Sequence, residues 1–245
     1  MFKKYGVLGL SLILFTELNM LLKIHPFTVW YVPITYYGYI LLVDSIVFKL
    51  SKKSLISKRP KIFLLLTLLS VPFWFFYEFY NLFIQNWHYL NFTWIIHLVD
   101  FTAILPSIIE TYQLFLALHL FDNIKLNLQI KFSKKTLYIM IGFGIVCLAL
   151  PIALPFYFFW MVWLSMFFLL DPINYLHKQP SIISYIKRKK LKVPLALCAA
   201  GLTCGLLWEF WNYWAPIKWY YDIPFFNKFK IFEMPLLGYL GYLPF

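Results

Sequence analysis

Two short phrases in this 245-residue chain place a carboxylate among aromatic side chains at closely similar spacing. Phe76-Tyr77-Glu78-Phe79-Tyr80-Asn81 is followed by Trp87-His88-Tyr89, and Leu207-Trp208-Glu209-Phe210-Trp211-Asn212 by Trp219-Tyr220-Tyr221. The Glu-to-Trp separation is 9 residues in the first copy and 10 in the second. Each phrase closes a long apolar run. A carboxylate inside a bilayer is costly, so two placed alike point to function. A carboxylic acid among aromatic rings can act as a general acid, and its conjugate base can take the proton back. Glu78 and Glu209 are therefore the candidate catalytic pair. Asn81 and Asn212 lie three residues further on, on the same helical face. There an amide could donate to the carboxylate and fix its rotamer, and both asparagines are also candidate substrate contacts.

Glu110 and Glu17 also fall within apolar runs, at a depth expected to match Glu78 and Glu209. The expectation is one shared cavity, with Glu110 as a third acid. Trp74 and Trp208 flank the two glutamates, and Trp87, His88 and Trp219 follow them, so these are candidate substrate contacts. The run Phe73-Trp74-Phe75-Phe76-Tyr77 offers π-faces that could stabilise a cation or line a polyene tunnel. It could equally be lipid-facing bulk. His97 and Asp100 share a face if their stretch is helical. The five histidines and three cysteines show no ligand spacing, so neither metal nor cofactor is expected. The alternative for the buried acids is hydrogen-bonded helix packing without chemistry.

Composition sets the elements that must hold these groups. The chain is 62% hydrophobic and 13% charged, against about 25% charged for a soluble domain. Apolar runs of about 18–22 residues recur, long enough to cross about 30 Å of hydrocarbon. The expected spans are Tyr5–Leu22, Trp30–Phe48, Ile62–Ile84, Phe101–Phe121, Thr136–Leu154, Phe156–Leu170 and Pro194–Trp214, with an eighth beginning at Pro235. This predicts an all-α, polytopic integral membrane bundle of about seven to eight transmembrane helices. Short alternating strands of the β-barrel kind are absent. The repeated phrases divide the chain into two tandem repeats of the same orientation: residues 1–121, a basic linker at 122–135, and residues 136–245. Asp44 and Asp171 correspond between the halves, each near a basic loop where an ion pair or a cap is expected. The last apolar segment reaches only Phe245, about 16 Å at 1.5 Å per residue, so the second repeat is expected to be truncated. Cys147, Cys198 and Cys204 lie within spans and suggest packing residues rather than disulfides.

Lysine and arginine concentrate before the first span, between the second and third, between the fourth and fifth (Lys125, Lys131, Lys134, Lys135) and between the sixth and seventh. The positive-inside rule then puts the N-terminus and these loops in the cytoplasm, in a cell membrane. The net charge of +12 is read as topology and attraction to anionic lipid. Nucleic acid is not an expected partner, because the basic residues sit in separate short loops.

The span-three phrase resembles the small membrane domain of carotenoid lycopene cyclases, of the bacterial heterodimeric and fungal fused type. That pattern has Trp-Asp at a span end, Trp-x-aromatic after a loop, then Pro-x-Glu-Glu opening the next span. Here Tyr77-Glu78 stands for Trp-Asp and Trp87-His88-Tyr89 for Trp-x-aromatic. Pro106-Ser107-Ile108-Ile109-Glu110 stands for Pro-x-Glu-Glu with a single glutamate. In the second half Trp208-Glu209 and Trp219-Tyr220-Tyr221 match in the same way. The resemblance implies two tandem helical units and an enzyme that protonates a polyene end, stabilises the cation and recovers the proton. Glu78, Glu209 and Glu110 would carry that role. The expected partners are membrane lipid, a hydrophobic small molecule, and a further copy or a different chain in an oligomer. The rival readings are a small-solute or proton-coupled carrier, and a non-catalytic membrane scaffold.

Overall fold

The structure, a computed structural model, describes residues 2–124 and 130–245. Lys125, one of the basic residues assigned to the linker, lies outside the described residues. The rest is an all-α polytopic bundle. Its long helices are α1 (Lys4–Leu21), α2 (Tyr31–Ser51), α4 (Pro60–Ile84), α5 (Trp94–Ala117), α6 (Lys134–Ala153), α8 (Val162–Leu176) and α10 (Lys192–Trp214). Short elements join them: α3 (Leu55–Lys58), α7 (Pro155–Phe158), α9 (Ile182–Lys187), and strands β1 (Trp87–Leu90), β2 (Lys218–Tyr221), β3 (Lys230–Ile231) and β4 (Met234–Pro235). With Pro155–Leu176 taken as one segment, seven helical segments among the described residues are long and apolar enough to cross a membrane. Helices suit these apolar runs because hydrocarbon offers no partner to a bare backbone amide.

The α6–α8 connection breaks at Leu154, between Pro151 and Pro155, with Pro155 at the first position of α7, where a missing N–H costs nothing. Helices α2, α5 and α10 form the centre. Their buried faces meet through Tyr36, Ile40, Phe101, Ile104, Cys204 and Trp208. Helices α1, α4 and α6 lie outside and expose Leu14, Leu68 and Ile145, which suits a lipid surrounding and not water. Helices α1 and α2 cross at Gly9, where an added Cβ would stand 2.5 Å from the Gly38 carbonyl oxygen. Helices α6 and α8 cross at Gly144, where one would stand 2.7 Å from the Leu169 amide nitrogen. Close helix approach in lipid depends on such small residues.

One end of the bundle carries the β1–β2 ribbon and the other carries α3 and α9. At the α3–α9 end, Asp44 and Asp171 prove to be caps. Asp44 Oδ1 accepts from the Ile56 amide at 2.8 Å and its Oδ2 from the Ser54 hydroxyl at 2.9 Å, with Tyr5 OH donating to Oδ2 as well. Asp171 accepts from the Ile182 and Ile183 amides at 2.6 and 2.9 Å. Asp44 thus satisfies one free amide opening α3, and Asp171 two opening α9. In both halves the aspartate precedes its cap serine by the same interval, Asp44 to Ser54-Leu-Ile-Ser and Asp171 to Ser181-Ile-Ile-Ser. This second repeat was legible in the sequence but was not read there.

The eighth span expected from Pro235 is not an α-helix. Residues Leu236–Tyr242 form a 3₁₀ helix behind the β3–β4 turn. Gly238 and Gly241 disfavour an α-helix there, and seven residues at about 2.0 Å each reach roughly 14 Å. The segment instead packs over α10, with Tyr242 against Gly201 and Gly205.

Candidate functional site

The two Trp-aromatic-Tyr phrases, expected only to follow the acids, are strands that pair with each other. Strands β1 and β2 are antiparallel, with Trp87 opposite Tyr221, His88 opposite Tyr220 and Tyr89 opposite Trp219. The register is symmetric about His88–Tyr220. Alternate residues of a strand share a face, so each strand turns its Trp and its Tyr to the same side.

Those side chains reach the two glutamates. Glu78 Oε1 accepts from the Trp87 indole at 3.0 Å, from the Tyr89 hydroxyl, and from the Trp74 indole at 2.7 Å. Glu209 Oε1 accepts from the Trp219 indole at 3.2 Å, the Tyr221 hydroxyl at 2.8 Å and the Tyr242 hydroxyl at 3.0 Å. The first two donors correspond between the halves and the third does not. Trp74 stands four residues before Glu78, one helical turn away. Gly205 stands four before Glu209, and a Cβ there would come within 2.6 Å of the Tyr242 ring. The missing side chain makes the space that Tyr242 fills. Glu209 is fully buried and its Oε2 has no partner, whereas Glu78 is half-buried. Burial first, then the adjoining carboxyl, pushes the Tyr89 and Tyr221 phenols well above their ordinary value of 10.0, so both remain O–H donors.

The asparagines do a different job from the one expected. Asn81 Nδ2 donates to the Trp87 carbonyl at 2.7 Å, and its Oδ1 accepts from the Asn86 and Trp87 amides at 2.9 and 3.3 Å. Asn212 Nδ2 donates to the Trp219 carbonyl at 2.7 Å and its Oδ1 accepts from the Trp219 amide at 2.8 Å. Each amide is spent on strand backbone, not on the carboxylate three residues earlier. It latches the ribbon to the helix end, and the ribbon then orients the carboxylate. A carboxylate has no N–H to give the strand and an amide does, which explains the division of labour.

The single shared cavity for four glutamates is corrected. Helix α5 begins at Trp94, seven residues before the expected Phe101. Glu110 is thus 16 residues, about 24 Å, from the ribbon end of the helix. It faces Asp44 and the Leu55 backbone of α3, fully buried. Glu17 takes both its hydrogen bonds, at 3.0 Å, from the Tyr31 hydroxyl. His88 sits at the centre of β1 beside the Tyr220 ring.

A cavity of about 500 Å³ lies beneath the ribbon, within the roughly 300–1,000 Å³ usual for small-molecule sites. Trp74, Trp87, Trp208 and Trp219 line it, as do Tyr89, Tyr221 and Tyr242. The two carboxylates stand behind this wall, joined to it by its own N–H and O–H groups. A hydrogen bond to a carboxylate pushes electron density back into the donor ring, so these faces suit a neighbouring positive charge. Asn81, Asn212, His88 and Glu110 do not line the cavity, whereas His97 and Asp100 do. Sequence reading placed that pair on one face and gave it no role. No family model, curated protein or solved structure matches this chain.

Proposed function

We propose that this membrane protein binds an apolar, isoprenoid-type molecule in the aromatic cavity and carries out non-redox acid–base isomerisation or cyclisation on it. One observation carries the reading: an indole- and phenol-walled cavity whose polar wall atoms converge on two carboxyls, one from each repeated phrase. Protonation of a polyene creates a carbocation, and rings hydrogen-bonded to carboxylates behind them are suited to hold it. Glu78 and Glu209 would supply and recover the proton through the tyrosine hydroxyls that reach the cavity, since the carboxyls themselves stand behind it. Glu110, remote from the cavity, is left out of this chemistry. The lycopene cyclase resemblance supports the same substrate class. The distribution of basic residues supports a cytoplasmic-membrane setting with the N-terminus inside.

The test is mass spectrometry of lipids from a carotenoid-producing bacterial host expressing this chain, beside Glu78→Gln and Glu209→Gln variants that insert at normal levels. A new isoprenoid isomer that vanishes in both variants is the expected result. An unchanged lipid profile with the wild-type chain would refute the proposal. A second reading, that the carboxyls only fasten the ribbon, is favoured by the three donors on each Oε1. It predicts variants that lose assembly rather than product.

A further inference from the structure

The cavity wall carries one polar group that the ribbon does not explain. His97 is 1% exposed and Asp100 is 5% exposed, both on α5. His97 Nδ1 stands 3.6 Å from Asp100 Oδ2, too far for a hydrogen bond. Neither ring nitrogen of His97 has a partner, and neither does Asp100 Oδ1. The imidazole is enclosed by the Tyr89, Phe92 and Phe101 rings, and the hydroxyl of Tyr89 is engaged with Glu78 and Trp74 instead. Three buried polar atoms left unpaired in an aromatic pocket form an expensive arrangement, because each forfeits its hydration without recompense. The second repeat has no such pair, so the duplication does not account for it.

We infer that His97 and Asp100 form a subsite for a single hydroxyl group on an otherwise apolar, uncharged ligand. The inference rests on reading the cavity as an isoprenoid site and names its substrate class more closely: an isoprenoid alcohol, not a bare hydrocarbon. A neutral imidazole offers one N–H and one lone pair, and Asp100 offers an acceptor. A hydroxyl, with one O–H and two lone pairs, matches that set. Seated about 2.8 Å from Asp100 Oδ2, it would meet a His97 nitrogen after a small rotation of the imidazole, whose nitrogens are sealed from the cavity without it, and so bridge the gap that the two side chains cannot close alone. Charge excludes the commoner isoprenoid heads. No lysine or arginine lines the cavity among the described residues, so a phosphate or carboxylate would be buried without a counter-ion.

Retinol is a suitable probe, since it absorbs where tryptophan emits and the cavity is walled by tryptophans. Its affinity for the detergent-solubilised chain would be read from quenching of tryptophan emission. The same measurement would be made with the hydrocarbon lacking the hydroxyl and with retinoate. The expected order places retinol at least about tenfold tighter than either, the yield of one or two neutral hydrogen bonds. Asp100→Leu and His97→Phe should abolish the preference while leaving hydrocarbon binding in place. Both remove orphaned polar atoms, so folding should survive; if one fails to fold, the wild-type comparison still decides. Equal binding of alcohol and hydrocarbon would overturn the hydroxyl subsite and leave the isoprenoid cavity standing. Tightest binding of retinoate would overturn it too. Binding of none of the three would overturn the subsite together with the cavity reading.

Discussion

Replacing Asn212 by alanine tests whether the asparagines or the glutamates hold the ribbon. Asn212 is fully buried and makes two hydrogen bonds to one strand residue, at 2.7 and 2.8 Å. Each contributes about 1 kcal/mol net, so about 2 kcal/mol of local stability should go. The Trp219 carbonyl and amide lose their side-chain partner, and an apolar group of the same size would not restore it. A free energy of about 2 kcal/mol is roughly a thirtyfold change in an opening equilibrium. Hydrogen-exchange mass spectrometry on the detergent-solubilised chain should therefore find Lys218–Tyr221 exchanging about thirtyfold faster. Exchange in α2, whose hydrogen bonds are untouched, should be unaltered. Asn81→Ala should have a similar effect on Trp87–Leu90. Unchanged strand exchange in Asn212→Ala would refute the latch and return the ribbon's anchorage to the carboxyls. An equal acceleration in α2 would also refute it, because the loss would then be global rather than local.

Three further outcomes follow from the packing. Gly205→Ala should push Tyr242 off Glu209 and destabilise the chain by about 1–3 kcal/mol, whereas Gly142→Ala, which meets nothing within 4 Å, should be neutral or stabilising by up to about 1 kcal/mol; a thermal-shift series in detergent compares them. Asp171→Ala should cost about 0.5–2 kcal/mol as a lost cap and speed amide exchange in Ile182–Lys187 without altering exchange in the ribbon. Asp122 lies outside the spans, and Lys192 at 2.5 Å, then His119, holds its carboxyl below the ordinary 3.8. A depressed folded value means the contact is complete above the ordinary value and is lost as pH falls through the folded one. Carboxyl titration by NMR should place the Asp122 midpoint below 3.8, and Lys192→Gln or high salt should move it upward.

The spans were legible because a bilayer forces long apolar helices, and one-dimensional hydropathy carries that directly. The ribbon was not legible, because four-residue strands have no periodicity to detect and their pairing joins Trp87 to Tyr221, 134 residues further along the chain. The repeated phrase did mark Glu78 and Glu209, yet it could not say what touches them. Trp87, Tyr89, Trp219 and Tyr221 lay within the phrase, but Tyr242 lay 33 residues beyond Glu209 in a segment read as a span. Gly205, set against Trp74, was the one local hint of it. Glu110 was misplaced for a geometric reason. An error of seven residues in where α5 begins shifts a side chain by about 10 Å along the axis. At Asp44 and Asp171, where an ion pair or a cap was open, the Ser-x-x-Ser ten residues further on points to the cap.

The unequal third donor bears on how the chain is made. Glu78 finds all its donors between Trp74 and Tyr89, and one of them rides on its own helix. Helix α4 can thus enter the lipid with its acid already partly solvated by an indole, before any later part of the chain has left the ribosome. Helix α10 has Gly205 in that place and brings no donor of its own to Glu209. Its acid must wait for β2, and then for the segment that delivers Tyr242. The two sites look alike when finished and are not alike in birth: the first matures early and from within, and the second stays incomplete until about thirty more residues are synthesised, a wait of a few seconds at about 5–20 residues per second.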